Sequence, residues 1–256
     1  MSTAPISPAA GFMAEHAHYD DDAGFWEAHV DRLGGPACDL GAAAGRVTVR
    51  LAERGHEVWA VDTDAEMLDV LAGRARAHGV AHLVHPVQQS MTDPLPVRDA
   101  GAVLIPMNTL QVLRARPDQV TCMRRAAEAL RPGGEMLFDL ALPHFDVVAD
   151  LVGALLDTGH GMDPSTGDLL LHTAMFEALD RPRGEVQLRI MVERIHRDGS
   201  RTAVERPHHL HLYEPDEIPA LAGDAGLEVV EATGGFRGEP LTGASERQVW
   251  RLRRPA

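Results

Sequence analysis

A glycine-containing loop at residues 41–45 is the first candidate for chemistry. The sequence DLGAAAG at residues 39–45 follows a short apolar run and precedes a stretch with helical spacing. Glycine lets the backbone turn tightly and approach a ligand closely, and the following helix offers unpaired N–H groups. Asp62 stands 21 residues after Gly41, close to the ~20-residue offset at which an acid meets a ribose hydroxyl pair. Together they predict a site for an adenosine-containing cofactor.

The spacing within this loop distinguishes between adenosine cofactors. A dinucleotide site needs the pattern G-x-G-x-x-G, so that the backbone can approach a pyrophosphate. After Gly41, the two later glycine positions hold Ala43 and Arg46. S-adenosylmethionine carries no phosphate and tolerates more bulk here, so the sequence favours this cofactor over NAD. The alternative is an ordinary strand–turn–helix that binds no ligand.

Histidines supply the candidate general bases. His144 follows the fifth predicted strand, where open α/β sheets bind their ligands, although a surface histidine at a helix start is equally consistent. His209, His211 and Tyr213 share one face of a later predicted strand. They are expected to line an acceptor pocket or to form an ordinary polar face. An H-x-H pair without a third ligand is weak support for a metal, so no metal site is predicted.

The N-terminal segment offers a second group of polar residues. His16 and His18 lie beside Tyr19 and belong either to a flap or to a solvated tail. The acidic run at residues 20–22 is interpreted as solvated. Arg46, at the start of the first crossover helix, is expected to meet the cofactor carboxylate or to lie in solvent. Cys38 and Cys122 are interpreted as core residues.

The elements that must position these residues alternate between strand and helix. Strands are predicted at residues 36–40, 57–61, 81–87, 102–105 and 135–140. Helices are predicted at residues 24–33, 46–54, 65–78 and 118–130, with Asp64 as the N-cap of the third. This alternation is typical of an α/β fold, with a mostly parallel sheet flanked by helices.

The pattern changes after residue 165. Three strands at residues 169–179, 185–196 and 202–213 are joined by hairpin-length turns, which predicts an inserted antiparallel subdomain. A helix at residues 215–223 and strands at 227–232 and 248–252 complete the sheet. The predicted division is a helical lead-in or cap (1–35), a cofactor-binding core (36–142), the inserted strands (165–213) and the C-terminal part of the core (214–256). The inserted strands are expected to form a lid or a homodimer contact.

Composition excludes several classes of partner. The formal net charge is -14 and all 24 basic residues are arginine, which disfavours nucleic acids and anionic membranes and excludes a lysine base or Schiff base. Two cysteines give no disulfide framework. No apolar run approaches membrane-spanning length, and no charged leader precedes Arg32. We therefore expect a cytoplasmic protein that acts on a small molecule.

Several stretches of the sequence resemble one enzyme family. These are ACDLGAAAGRVTVRLAERGHEVWAVDTDAEML (residues 37–68), IPMNTLQVL (105–113), LRPGGEMLFDL (130–140) and LYEPDEIPALAGDAGLEVV (212–230). They are similar to class I S-adenosylmethionine-dependent methyltransferases of the bacterial small-molecule type. The resemblance implies a Rossmann-like methyltransferase fold with S-adenosyl-L-methionine as cofactor.

The resemblance also assigns roles to individual positions. Gly41, Ala43 and Gly45 would pack under the methionine half of the cofactor, and Asp62 would hold both ribose hydroxyls. The other implied cofactor contacts are the closing tyrosine Tyr19, then Thr63 and Met67 at ribose and adenine, Ser90 and Met91 at adenine, and Met107 and Asn108 at the acceptor boundary. Two positions depart from the family, since Ala43 replaces a glycine and Ser90 replaces an acid.

The expected activity is methyl transfer to a nitrogen or oxygen of a small secondary metabolite. A hydroxyl acceptor benefits from a general base, whereas an amine needs only to be neutral. The departures at Ala43 and Ser90 motivate an alternative, in which the enzyme binds S-adenosylmethionine but catalyses a non-methylating cyclisation or rearrangement. A non-enzymatic ligand sensor is a third class, for which the sequence offers no effector domain.

Overall fold

A seven-strand sheet forms the centre of the larger of two compact units. The computed structural model describes residue 11, residues 19–163 and residues 166–256, and the larger unit, here the core unit, comprises residues 20–142 and 212–256. Its strands are β1 (Ala37–Leu40), β2 (Val58–Asp62), β3 (Val84–Gln88), β4 (Ala100–Ile105), β5 (Leu130–Ala141), β10 (Glu228–Thr233) and β11 (Arg247–Arg253). Their order is β10-β11-β5-β4-β1-β2-β3. Strand β11 runs antiparallel to both β10 and β5, and the other neighbouring strands are parallel, which confirms the predicted fold class.

Helices cover both faces of this sheet. They are α1 (Ala23–Leu33), α2 (Arg46–Glu53), α3 (Ala65–Ala77), α4 (Arg116–Ala129) and α6 (Glu217–Ala225). Each lies within about two residues of its prediction, since apolar periodicity determines which face a helix buries. The predicted N-cap of α3 is confirmed, because the Asp64 carboxylate accepts the backbone N–H groups of Glu66 (2.9 Å) and Met67 (3.3 Å).

Two hydrophobic layers hold the helices against the sheet. On one face, α4 and α6 pack Met123 and Leu221 against sheet residues such as Val103. On the other face, α1 and α2 contribute Trp26 and Leu51 to a cluster around Leu104. All six residues of β4 are buried, as expected for a central parallel strand covered on both sides. Cys38 and Cys122 are both fully buried, as predicted.

The starts of two core strands differ most from the predictions. β3 begins at Val84 rather than residue 81, because Leu83 donates its N–H to Val80 O (2.9 Å) and closes a turn. β5 begins at Leu130 rather than residue 135, since Leu130 already pairs with Ala100 before the register shift in β4.

A four-strand antiparallel sheet characterises the second unit, whose described residues are 11, 19, 143–163 and 166–211. After the short helix α5 (Phe145–Asp150), its strands are β6 (Leu155–Met162), β7 (Leu169–Asp180), β8 (Glu185–Ile195) and β9 (Arg201–His211), in that order across the sheet. The last three correspond to predicted strands. Strand β6 was not predicted, because its sequence LLDTGHGM contains two glycines and no hydrophobic alternation. Its ladder with β7 stabilises it instead. The role of this sheet as a lid or dimer contact stays a prediction.

None of the helices within the described residues combines the length and the hydropathy needed to cross a membrane. His16 and His18 lie outside the described residues.

A close backbone contact joins α1 to the sheet. Gly101 in β4 donates its N–H to Pro36 O (2.9 Å), and a Cβ at this position would lie 1.7 Å from the carbonyl oxygen of Gly34. The turn between α1 and β1 therefore requires glycine at residue 101.

We predict that Gly101→Ala lowers the free energy of unfolding by about 3 kcal/mol, because the added methyl group must displace backbone rather than a flexible side chain. Gly223→Ala in α6 is the matched control, since no atom lies within 4 Å of its Cβ position. The control should gain up to about 1 kcal/mol. Urea unfolding of both variants measures the difference, and equal stability would contradict the contact.

Candidate active site

The loop after β1 passes very close to a neighbouring segment. Gly41 has φ of 72°, and it donates its N–H to Val61 O at 2.8 Å. A Cβ at Gly41 would lie 2.3 Å from Thr109 Cγ2. Gly45, with φ of 77°, begins α2, and a Cβ there would lie 2.7 Å from Leu71 Cγ. Both glycines of the motif are therefore required by close packing as well as by conformation.

Asp62 fastens this loop to the end of β2. Its Oδ2 accepts the N–H of Ala43 at 2.8 Å, and its Oδ1 accepts the N–H of Asp64 at 2.9 Å. Ala43 is held at φ of 45°, a left-handed conformation that non-glycine residues seldom adopt. A carboxylate has about four lone-pair sites, so Asp62 keeps capacity for two further donors, such as a pair of ribose hydroxyls.

Arg46 pairs with an acid that the sequence analysis placed in solvent. Asp22 is fully buried, and its two carboxylate oxygens each accept a hydrogen bond from Arg46 at 2.6 Å. The indole N–H of Trp26 donates to the same carboxylate at 2.7 Å. The prediction of a solvated run is therefore wrong for Asp22, although Asp20 and Asp21 are exposed. The pair connects the start of α1 to the start of α2.

Asp139, near the end of β5, escaped the sequence analysis. Its side chain is buried, and its Oδ1 accepts the N–H of Met107 at 2.7 Å. Its Oδ2 lies 3.3 Å from an Arg247 guanidinium nitrogen. Met107 and Asn108 follow β4 with φ of 60° and 59°, so Asp139 braces a strained turn at the predicted acceptor boundary. The available signal was an acid within the otherwise apolar run MLFDL.

Burial disfavours the charged form of two acids at this edge of the sheet. It raises the pKa of Asp139 to about 6, and Arg247 and the Met107 N–H oppose the shift only in part. It likewise raises the pKa of Asp39 to about 6, against the hydrogen bond that Thr48 donates at 2.6 Å. The second oxygen of Asp39 and the side-chain oxygen of Asn108 are buried, with no partner among the described residues.

The remaining predicted cofactor contacts follow the ends of β2 and β3, which are adjacent parallel strands. Thr63 is exposed and Met67 lies in the first turn of α3. The Ser90 hydroxyl forms a 2.8 Å hydrogen bond with that of Thr92, and Met91 packs against the core. Because parallel strands end at one edge of a sheet, the fold brings all four to the edge that carries Asp62. Their contacts with a cofactor stay predictions.

The candidate bases do not form one group. Tyr213 lies beyond β9, in the core unit, so its placement with His209 and His211 on one strand face is wrong. Its buried hydroxyl donates to the carbonyl oxygens of Leu110 (3.1 Å) and Leu113 (3.2 Å), and burial raises its pKa. The Tyr213 hydroxyl is therefore engaged within the fold, and its catalytic role stays a prediction.

The histidines and Tyr19 belong to the second unit. His209 lies on the exposed face of β9, His211 is buried opposite Glu185, and His144 is the N-cap residue of α5. Their catalytic roles, and the closure of Tyr19 over the cofactor, stay predictions. In the part of the chain that the structure describes, no three His, Cys, Asp or Glu side chains are grouped to hold a metal ion.

The residues at this edge fit S-adenosylmethionine. The Asp62 carboxylate keeps capacity for two hydroxyl donors beyond the two N–H groups that it accepts. The two orphaned oxygens of Asp39 and Asn108 match an ammonium donor. A buried acceptor without a donor is unfavourable, so such atoms indicate a ligand or a water molecule.

Comparisons with known proteins agree with this fit. Residues 37–134 match a family model described as a methyltransferase domain. The cypemycin N-terminal methyltransferase of a Streptomyces species is 25% identical over 97% of this chain and 91% of its own length. The structure of the CcbJ methyltransferase from Streptomyces caelestis is 28% identical, with a TM-score of 0.73 over 93% of this chain and 97% of that one. The sugar N-methyltransferase KedS8 from Streptoalloteichus is 16% identical, with a TM-score of 0.74 over 100% and 98%.

We predict that Asp62→Ala weakens S-adenosylhomocysteine binding at least about tenfold, because hydrogen bonds to a charged group contribute roughly 1.5–3 kcal/mol. Asp64→Ala is the matched control. It removes the cap of α3 and costs about 1 kcal/mol of stability, but it should retain the wild-type affinity. Titration calorimetry measures both, and an unchanged affinity in Asp62→Ala would place the cofactor elsewhere.

The raised pKa of Asp139 predicts a pH-dependent stability difference. The folded state holds this proton more tightly than the unfolded chain, so the stabilising contribution is complete below about pH 4 and is lost as the pH rises through about 6. The amide of Asp139→Asn does not titrate, so this variant does not lose stability over that pH range. Its stability relative to wild type should therefore rise by about 2–3 kcal/mol between pH 4 and pH 7.

Urea unfolding across this pH range measures the difference. Asp69→Asn, the same change at an exposed acid on α3, is the matched control. Parallel stability curves for Asp139→Asn and wild type would show that this carboxyl titrates normally.

Proposed function

We propose that this chain, a class I S-adenosylmethionine-dependent methyltransferase, methylates an amino nitrogen of a small secondary metabolite. The observation that carries the choice of nitrogen is the similarity to the cypemycin N-terminal methyltransferase, which extends over 97% of the chain. That range includes the second unit as well as the cofactor-binding edge, so it is not confined to the methyltransferase domain.

The chemistry of the core unit supports an amine acceptor. When bound, S-adenosylmethionine would supply a methyl group on a sulfonium: an amine lone pair attacks the methyl carbon, and the thioether sulfur leaves with the electrons of the C–S bond. The amine must first lose its proton, for which water suffices, whereas a hydroxyl acceptor benefits from a positioned base. Among the candidate bases, the Tyr213 hydroxyl already donates to Leu110 O. His144, three residues after the end of β5, belongs to the second unit.

The residues of the chain would act mainly by positioning. Orientation of two reactants is the main requirement for an in-line displacement. The Gly41–Gly45 loop and Asp62 would hold the cofactor, and the Met107–Asn108 turn braced by Asp139 would separate it from the acceptor. The loop is fixed further by Arg74, which donates to Ala44 O at 2.7 Å.

The geometry of Ala43 favours methyl transfer over the non-methylating alternative. The alanine departs from the family pattern, but its left-handed backbone is accommodated and its N–H is bonded to Asp62. Ala43 is one of the two departures that motivate the non-methylating alternative, and its geometry weakens that motivation. Ser90, whose hydroxyl is engaged with Thr92, keeps the alternative as a second outcome of the test.

The test is turnover of amine probes. The full chain is incubated with S-adenosylmethionine and either D-glucosamine or trialanine, with their N-acetyl counterparts as neutral controls. We expect S-adenosylhomocysteine to form with at least one free amine, and the product to gain one methylene unit per transfer. Formation of an isomer of unchanged mass, or methylation confined to hydroxyl groups, would contradict the proposal.

A further inference from the structure

A cleft of about 380 Å³ lies beside the connection between β10 and β11, within the core unit. Its lining residues are Asp21, Gly234, Gly235, Phe236, Arg237, Glu239, Glu246 and Arg247. The volume lies in the range of about 300–1,000 Å³ that is typical of small-molecule sites.

The cleft lies at the edge of the sheet that carries the cofactor residues. Arg247 is the first residue of β11 and pairs with Ala141, the last residue of β5. Since β11 is antiparallel, its start lies beside the carboxyl ends of the parallel strands. Arg247 also contacts Asp139, whose other oxygen holds Met107. A ligand in the cleft would therefore be one side chain away from the predicted boundary between cofactor and acceptor.

The Phe236 ring forms an aromatic wall of the cleft. The Phe236 ring packs against Phe25 and Trp26, with ring centroids 5.6 Å and 5.9 Å apart. The Arg247 guanidinium lies 4.8 Å from the Phe236 centroid. Aromatic faces offer a sugar ring or an alkyl chain an apolar surface, and they also attract cations.

The connection is folded into a defined shape. Gly234 donates its N–H to Glu239 O at 2.7 Å, and Arg237 donates its N–H to Glu239 Oε2 at 2.9 Å. A Cβ at Gly235 would lie 2.5 Å from the same carboxylate oxygen. The Glu239 carboxylate is thus held in place before any ligand arrives, which reduces the entropy lost on binding.

The charge of the lining favours a cation. Asp21, Glu239 and Glu246 contribute three carboxylates, against the guanidinium groups of Arg237 and Arg247. One of these guanidinium groups, that of Arg247, is shared with the buried Asp139. The remaining excess of negative charge attracts an ammonium group, and the aromatic wall favours an ammonium on a compact organic body.

We infer that this cleft is the acceptor site and that it recognises the protonated form of an amine, such as an amino sugar, through Glu246 and Asp21. The inference rests on the proposed function and adds to it the site and the charge state in which the acceptor is captured. The amine then gives its proton to water or to a lining carboxylate before it reacts.

Amide chemical shifts locate and measure this binding. The ¹⁵N-labelled full chain, loaded with S-adenosylhomocysteine, is titrated with D-glucosamine and separately with N-acetyl-D-glucosamine at pH 7. We expect shifts at residues 234–237 and 246–247, and a Kd for glucosamine at least threefold lower than for the neutral sugar. In Glu246→Gln the two affinities should converge. Asp69→Asn, an equal charge change at an exposed site on α3, should preserve the difference.

Several outcomes would overturn the inference. Recognition of an ammonium group in this cleft is excluded if glucosamine shifts resonances elsewhere or binds no better than its N-acetyl form. It is also excluded if glucosamine binds Glu246→Gln as tightly as wild type. Replacing S-adenosylhomocysteine by S-adenosylmethionine in the same samples separates the two proposals. Charge-dependent binding without turnover would refute N-methylation of this probe, but it would support the cleft as a site that recognises an ammonium group. Turnover that is unchanged in Glu246→Gln would support N-methylation of the probe and refute the role of Glu246 in recognising it.

Discussion

The Asp62 carboxylate makes the interactions on which the predicted cofactor site depends. It joins the loop after β1 to the end of β2 by accepting one N–H from each side, and in doing so it stabilises a left-handed alanine at residue 43. The motif glycines then pack against Thr109 and Leu71. The loop is thus shaped by the protein itself, so that cofactor binding does not have to organise it.

A second constraint is the concentration of buried acids where the parallel strands end. Asp22 is neutralised by Arg46, whereas Asp39 and Asp139 retain raised pKa values. Burial of these groups lowers the stability of the fold at neutral pH, because their charged forms lose hydration that their partners replace only in part. Such residues mark functional sites, since stability is lost there to obtain a polar, ordered environment for a ligand.

The sequence was sufficient for the fold class and for the turn at residues 41–45, because both depend on local patterns. Apolar periodicity, the Asp64 cap and the glycine–acid spacing each act within a few residues or one βαβ unit. The failures involved partners far apart in the chain. Asp22 pairs with a residue 24 positions away, and Asp139 braces a turn 32 positions earlier. Strand β6 formed by pairing with β7, despite weak propensity, and Tyr213 left its predicted strand face because its hydroxyl bonds with residues 110 and 113.

A crystal structure of the chain with S-adenosylhomocysteine would show whether Asp62 holds the cofactor ribose. Both ribose hydroxyls should lie within hydrogen-bonding distance of the Asp62 carboxylate, with the amino-acid half of the ligand over the loop at residues 41–45. A ligand bound away from this loop would contradict this role of Asp62. So would a ribose held by another acid while Asp62 contacts only Ala43 and Asp64.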